Sequence, residues 1–198
     1  MKEASTIELM NYLSYETLPT GFCLGSRGHG LDRTYGLAIC AGDTSPSDCA
    51  NCLSNATEEI CTHCPDRKRA VIWHDLCTLK YSGEDFFGQV DTQLRYLLTD
   101  SENASDPVSF GQKTNDLISK LVEIAYVIPR TYGTSTVRLG ASETLELTAQ
   151  CRRDLSGTDC KRCLTNSVVE LQNCCAGKKG ATVYSASCAV AYTVAIVV

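Results

Sequence analysis

The sequence contains two copies of one cysteine pattern at a constant offset. A Cys-x8-Cys-x2-Cys element begins at Cys40 and recurs 111 residues later at Cys151. Five cysteine pairs keep this offset without a gap: Cys40/Cys151, Cys49/Cys160, Cys52/Cys163, Cys64/Cys175 and Cys77/Cys188. Self-similarity at a fixed period marks repeated structural units. The chain is therefore predicted to fold as two similar domains.

Composition limits the classes of protein to which the chain can belong. Thirteen cysteines among 198 residues favour an oxidising compartment, where thiols become disulfides. The net charge of -5 and the lack of a long basic run argue against a nucleic-acid partner. None of the nucleophile-elbow, P-loop or H-E-x-x-H motifs occurs, and the second copy has no histidine. We therefore expect no enzyme activity, no catalytic residue and no cofactor.

Apolar spacing and capping residues predict a helix, a strand, a second helix and a hairpin in each copy. In copy 1, Ser45 or Ser47 caps the second helix and Pro46 lies in its first turn. The first helix of copy 1 is predicted near residues 7–13, because the offset puts its start before residue 1. The other predicted elements are a helix at 108–126, strands at 35–40 and 145–151, and hairpins at 69–73/76–81 and 180–184/188–198. Helices on one face of an antiparallel sheet give an α+β fold.

The same offset sets the predicted domain boundaries. We expect a first domain over residues 1–86, clipped at its amino end, and a second over 106–198. Residues 87–105 are predicted to be a linker. The end of this segment, from Thr99 onward, is rich in Asp, Ser and Asn, a composition typical of loops.

The cysteines can be read as disulfides or as metal ligands. Cys49-x2-Cys52 followed by Cys61-x2-Cys64 has the spacing of a zinc ribbon. In copy 2 the second pair is adjacent, as Cys174-Cys175, so the four-ligand pattern does not recur. This favours disulfides and no metal, with a zinc site as the alternative. Since thirteen is odd, at least one thiol lacks an internal partner.

Three stretches resemble a known plant family, the ginkbilobin-homologous domain, also called the stress-antifungal or salt-stress-response domain. They are the repeated Cys-x8-Cys-x2-Cys element, the run DRTYGLAIC that ends at Cys40, and CCAGKKGA from Cys174. Tandem copies resemble the ectodomains of cysteine-rich receptor-like kinases, plasmodesmata-located proteins and cysteine-rich repeat secretory proteins. The resemblance implies, for each domain, a roughly five-stranded antiparallel sheet with two helices on one face.

The resemblance also implies a disulfide pattern. The implied bonds are Cys40–Cys49, Cys52–Cys77, Cys151–Cys160 and Cys163–Cys188. The family pairs the cysteine at the place of Cys64 with one near the domain start, and this sequence has no cysteine there. Cys23, Cys61 and Cys64 are therefore candidates for an extra disulfide, with Cys23–Cys61 as the first choice.

Some family members bind mannose through an Asn, an Arg and a Glu. Alignment on the cysteines puts Val71 and Ser82 at the Arg and Glu positions of copy 1, and Thr182 and Thr193 at those of copy 2. The Asn position of copy 1 falls before residue 1. Without the charged groups, the charge-assisted hydrogen bonds to sugar hydroxyls are lost. Mannose binding of this kind is not predicted.

Together these features predict an extracellular, non-enzymatic recognition module that binds a glycan, a peptide or a cell-surface protein in plant stress or defence signalling. It would lie in the apoplast, or at the plasma membrane or plasmodesmata as an ectodomain, and could self-associate or pair with another chain. The sequence shows neither a signal peptide nor the roughly 18 apolar residues of a membrane span. Asn103 and Asn55 begin glycosylation sequons. The alternatives are a secreted antifungal mannose-binding protein and an intracellular zinc protein.

Overall fold

The computed structural model describes residues 2–65, 67–91 and 93–196. They form two compact units, Met1–Phe87 and Gly88–Val198, each of which is described by itself. No described helix combines the length and the apolar character that crossing a membrane requires.

Unit 1 packs two helices on a four-stranded antiparallel sheet. Its elements are α1 (Lys2–Glu16), β1 (Phe22–Arg27), a short 3-10 helix (Gly30–Asp32), β2 (Thr34–Cys40), α2 (Pro46–His63), β3 (Arg69–Trp73) and β4 (Cys77–Ser82). The strand order is β1-β2-β4-β3, with β1 and β3 at the edges. Leu9, Leu13, Leu53 and Leu79 are fully buried between the helices and the sheet.

Unit 2 repeats this arrangement with one more strand. Its elements are β5 (Arg95–Thr99), α3 (Pro107–Ala125), β6 (Tyr132–Arg138), β7 (Glu143–Cys151), α4 (Gly157–Cys175), β8 (Gly180–Ser185) and β9 (Cys188–Ile196). The antiparallel sheet has the order β5-β8-β9-β7-β6. The two-copy α+β fold predicted from the sequence is confirmed. The last two residues of the predicted final strand, 197–198, lie outside the described residues.

The number of strands in the first sheet differs from the expected five. The described part of unit 1 has four strands, whereas unit 2 has five. The additional strand, β5, precedes α3 in the chain. The four strands that follow the first helix are present in both units, in matching order.

The segment predicted to be a linker is largely part of the second unit. Phe87 belongs to unit 1, and the rest of 87–105 belongs to unit 2. Within it, Arg95–Thr99 forms β5 and pairs with β8. All five residues of β5 are exposed, so the stretch lacks the alternation of apolar and polar residues that marks a half-buried strand.

Both second helices begin with the same cap, as expected for copy 1. Ser45 Oγ accepts a hydrogen bond from the Asp48 N–H at 3.1 Å, and Ser156 Oγ accepts one from the Asp159 N–H at 3.1 Å. Each bond satisfies one of the backbone donors that a helix start leaves free. Pro46 lies in the first turn of α2, where a missing N–H costs nothing.

Matching tyrosines satisfy the carboxyl ends of these helices. The Tyr81 hydroxyl donates to the Cys64 carbonyl at 2.8 Å, and the Tyr192 hydroxyl donates to the Cys175 carbonyl at 2.9 Å. Burial raises the pKa of Tyr192 to about 12, so this phenol keeps its proton throughout the physiological range. The repeated positions therefore build the scaffold, and differences in function between the units depend on the other positions.

Candidate functional site

Five disulfides hold the two units. Four have the pairing that the family resemblance implies: Cys40–Cys49, Cys52–Cys77, Cys151–Cys160 and Cys163–Cys188. The fifth joins the adjacent Cys174 and Cys175 at the end of α4. Two bonds in each unit tie the second helix to the sheet, which holds the outer face of that helix in a fixed position.

The candidate extra disulfide is not formed in the structure. Cys23, Cys61 and Cys64 are free thiols. Cys23 lies on the edge strand β1 and contacts Tyr12, whereas Cys61 and Cys64 lie at the end of α2. The zinc-like set is also divided, because Cys49 and Cys52 are bonded to different partners. Among the described residues, no group of three or more His, Cys, Asp or Glu side chains could hold a metal ion.

We expect the half-buried thiols of Cys23 and Cys61 to alkylate slowly in the native protein at neutral pH. Burial raises the pKa of Cys23 and of Cys61, and only the thiolate is nucleophilic. Their reaction with iodoacetamide should therefore accelerate as the pH rises, as followed by mass spectrometry over time. After unfolding without reductant, the three free thiols and no other cysteine should carry adducts. A different number of adducts would contradict this disulfide pattern.

The four positions aligned with the family's mannose residues lie on central and edge strands. Val71 is on β3 and Ser82 ends β4, while Thr182 and Thr193 hold the matching places on β8 and β9. Each pair is diagonal across neighbouring strands, since the partner of Val71 is Lys80 and that of Thr182 is Ala191. The structure thus brings each pair together, but the side chains are one valine and three hydroxyls.

A candidate binding groove of unit 2 runs between α4 and β5. It has a volume of about 480 Å³. It is lined by Arg95 and Leu97 of β5 and by Asn166, Val169, Glu170, Asn173 and Cys174 of α4. None of these residues is predicted from the sequence to bind a ligand. Arg95 and Leu97 of β5 lie in the stretch that is predicted to be a linker. For the groove residues of α4, the only signal in the sequence is that they lie off the buried face of a predicted helix.

Helix periodicity explains why these residues face the groove. α4 buries Leu164, Val168 and Leu171, at positions i, i+4 and i+7, which share one face of a helix. Asn166 and Asn173 are seven residues apart on the opposite, exposed side. On β5, residues alternate between the two faces of the sheet, so Arg95 and Leu97 lie on the same side.

The groove combines polar and apolar groups that suit binding. Arg95 Nη1 lies 2.7 Å from Glu170 Oε2, which fixes a cation and a carboxylate at the rim. The amides of Asn166 and Asn173 supply both donors and acceptors. Leu97 is 39% exposed and Val169 is 48% exposed, so the wall carries accessible apolar surface. A ligand with polar groups along one edge and an apolar face matches this surface.

Unit 1 carries a different cavity on the corresponding helix. A volume of about 270 Å³ is lined by Asp48, Asn51, Cys52 and Asn55 of α2 and by His74, Asp75 and Leu76 of the β3–β4 turn. At the 111-residue offset, Val169 is replaced by Glu58 and Asn173 by Thr62. The two units therefore share a frame but present different chemistry to a ligand.

The sequence also matches a known family. Residues 3–84 and 98–195 match the model of the stress-antifungal family, described as salt stress response/antifungal. The chain belongs to the stress-antifungal family. The family predicted from the cysteine pattern is therefore confirmed.

Similar proteins agree with this assignment. The antimicrobial ginkbilobin-2-like protein of Castanea crenata is 45% identical over 93% of this chain and 76% of its own length. Cysteine-rich repeat secretory protein 38 of Arabidopsis thaliana is 37% identical over 97% and 77%. The crystal structure of the tandem DUF26 ectodomain of the Arabidopsis cysteine-rich receptor-like protein PDLP8 superposes with a TM-score of 0.83. That ectodomain is 28% identical, and the match covers 97% of this chain and 89% of the ectodomain.

Proposed function

We propose that this stress-antifungal protein acts outside the cytosol, secreted or as an ectodomain, as a non-enzymatic recognition module in plant stress or defence. Its ligand is a glycan, a peptide or another protein. The groove between α4 and β5 is the observation that carries the proposal, because a rigid, disulfide-held helix presents polar and apolar groups together there. Relatives named as secretory and antimicrobial proteins support the location.

The lining of the groove favours binding over catalysis. Cys174 is held in a disulfide with Cys175, so it has no thiolate to act as a nucleophile. The Glu170 carboxylate is engaged by Arg95 at 2.7 Å. Amides and an ion pair hold a ligand by hydrogen bonds without transferring protons.

We expect binding to a cell-wall oligosaccharide array to depend on the two asparagines of the groove. The double variant Asn166→Ala/Asn173→Ala should lower the apparent affinity about tenfold or more, because each lost hydrogen bond costs about 0.5–1.5 kcal/mol. Thr165→Ala is the matched control, since Thr165 is exposed on the same helix but does not line the groove. Full binding by the double variant would exclude the groove as the glycan site.

Antimicrobial action is a second candidate function, favoured by the 45% identity to the Castanea crenata protein. We propose that such action would not depend on the family's mannose residues, because Val71, Ser82, Thr182 and Thr193 carry no charge. The zinc alternative is not supported, since Cys49 and Cys52 are bonded to other cysteines.

Asn103 and Asn55 are proposed as glycan acceptors. Both side chains belong to exposed residues, as attachment of a bulky sugar requires. Asn103 lies between β5 and α3, and Asn55 lies on α2 at the unit 1 cavity. A glycan on Asn55 would therefore lie at the mouth of that cavity.

A further inference from the structure

One disulfide of the chain differs from the other four in its accessibility. The eight cysteines of those four bonds are buried, apart from Cys52, which is half-buried. In the fifth bond Cys174 is exposed, whereas Cys175 is only 1% exposed and belongs to the core of unit 2. A thiolate must reach a sulfur atom to break a disulfide. Cys174 therefore provides an accessible end that the other bonds lack.

The α4 groove gives small molecules a route to this bond. Cys174 lines the groove together with Asn173 and Glu170 of the same helix and Leu97 of β5. The groove volume of about 480 Å³ falls within the range of about 300–1,000 Å³ that is usual for small-molecule sites. A small thiol that enters the groove can therefore contact the sulfur of Cys174.

The fold of unit 2 does not depend on the bond between Cys174 and Cys175. In the chain-entropy model, a disulfide stabilises a protein more when it closes a longer loop, and these two residues are adjacent. The Cys163–Cys188 bond, with a sequence separation of 25, still ties α4 to β9 after the adjacent pair is reduced. The adjacent bond can therefore open while the unit remains folded.

Hydrogen bonds that do not involve sulfur also hold the end of α4. The Cys175 carbonyl accepts from the Tyr192 hydroxyl at 2.9 Å and from the Lys178 N–H at 3.1 Å. These bonds keep Cys175 in place when its sulfur is released, directly beside Cys174 in the chain. Two reacting groups held this close recombine far more readily than the same groups free in solution, so the bond can also re-form.

The adjacent cysteine pair is a property of unit 2 alone. At the 111-residue offset, Cys175 corresponds to Cys64, but Cys174 corresponds to His63. The four other disulfides recur in both units and belong to the shared scaffold. The bond between Cys174 and Cys175 is therefore one of the features in which the two units differ, and it lies in a groove rather than in a core.

We propose that Cys174–Cys175 is a site of reversible reduction in the folded protein, with a small-molecule thiol as the reductant. The thiolate attacks Cys174 Sγ and forms a mixed disulfide, while the bond to Cys175 breaks and Cys175 Sγ keeps the electron pair and takes up a proton. A second thiolate attacks the small-molecule sulfur of the mixed disulfide and releases Cys174, which is protonated in turn.

The two small-molecule thiols are thereby oxidised to their disulfide, and the two cysteines are reduced to thiols. The reverse sequence, with the small-molecule disulfide as oxidant, restores the bond. This exchange requires only access to Cys174 Sγ, so it does not depend on a glycan, peptide or protein ligand in the α4 groove.

A time course of the native full chain in dilute dithiothreitol tests the proposal. Samples are quenched with acid, unfolded and alkylated with N-ethylmaleimide, and mass spectrometry counts and locates the adducts. The count should rise from the three free thiols to five, through Cys174 and Cys175. This step should be at least about tenfold faster than the opening of any other disulfide, because the buried bonds react only after the structure opens.

Two further treatments examine the folded state and the reversibility. Urea below the unfolding transition should accelerate the opening of the other four bonds and leave the rate at Cys174–Cys175 unchanged. Removal of dithiothreitol and addition of oxidised glutathione should return the count to three. Earlier reduction of another bond, the same urea dependence for all five, or a count that stays at five would overturn the proposal.

Paired variants show whether the fold of unit 2 tolerates loss of this bond. Cys174→Ala/Cys175→Ala should leave the hydrogen-exchange protection of the β7 and β9 amides unchanged within about twofold. Cys151→Ala/Cys160→Ala is the matched control, because it removes a buried bond with a sequence separation of 9. The control should lower this protection at least about tenfold. Equal losses of protection in the two variants would refute reduction within a folded unit.

Discussion

Replacing Arg152 by alanine should destabilise unit 2 by about 3–5 kcal/mol, because it leaves a buried carboxylate without its cation. Arg152 Nη2 lies 2.7 Å from Asp154 Oδ2, and the two side chains are only 4% and 6% exposed. The guanidinium also donates to the carbonyls of Ala186 and Gln89, each at 3.3 Å. One side chain therefore joins the β8–β9 turn, the segment before β5 and the loop before α4.

The chain provides a matched control for this prediction. Arg162 and Asp159 form an ion pair of 2.8 Å, but their side chains are 62% and 29% exposed. Arg162→Ala should therefore cost less than about 1 kcal/mol. Native-state hydrogen exchange of the β7 and β9 amides measures the free energy of opening of unit 2. Equal losses of protection in the two variants would contradict the role assigned to the buried pair.

Removing the Cys52–Cys77 disulfide should destabilise unit 1 by about 3–4 kcal/mol, and removing Cys40–Cys49 by about 2–3 kcal/mol. The chain-entropy model gives this order, because the bonded cysteines are 25 residues apart in the first case and 9 in the second. Each pair would be replaced by two alanines, so that no unpaired thiol remains.

Tryptophan fluorescence can assign this loss of stability to one unit. Trp73 is the single tryptophan of the chain, and it lies on β3 of unit 1. Urea unfolding followed at this residue therefore reports the free energy of unfolding of unit 1. Cys64→Ala, which removes a half-buried free thiol of the same unit, should lower that free energy much less. A reversed order of the two disulfide variants would contradict the entropic explanation.

Much of the fold could be predicted because its determinants are local or repeated. The cap of α2 at Ser45, the end of β2 at Cys40 and the hairpin that begins at Arg69 were all marked by residue type and by the constant offset. Each needs only a short stretch of sequence to specify it.

The features that could not be predicted depend on contacts between distant segments. β5 carries no alternating pattern because both of its faces are exposed, and only its pairing with β8 defines it as a strand. The burial of Arg152 results from three segments meeting around it, which periodicity within one strand cannot show. Cys174 and Cys175 are bonded to each other although they are adjacent in the sequence. Predictions of disulfides from the length of the loop between two cysteines do not apply to adjacent residues.

The position of β5 ahead of α3 has a practical consequence for dissecting the protein. A fragment that starts at residue 106, at the boundary suggested by sequence, omits the strand beside β8, the Arg95 side of the α4 groove and the Gln89 carbonyl bound by Arg152. A fragment that starts at Gly88 retains all three. For expression of the second repeat alone, the fragment should therefore start at Gly88, which keeps these hydrogen bonds, rather than at the boundary suggested by loop composition.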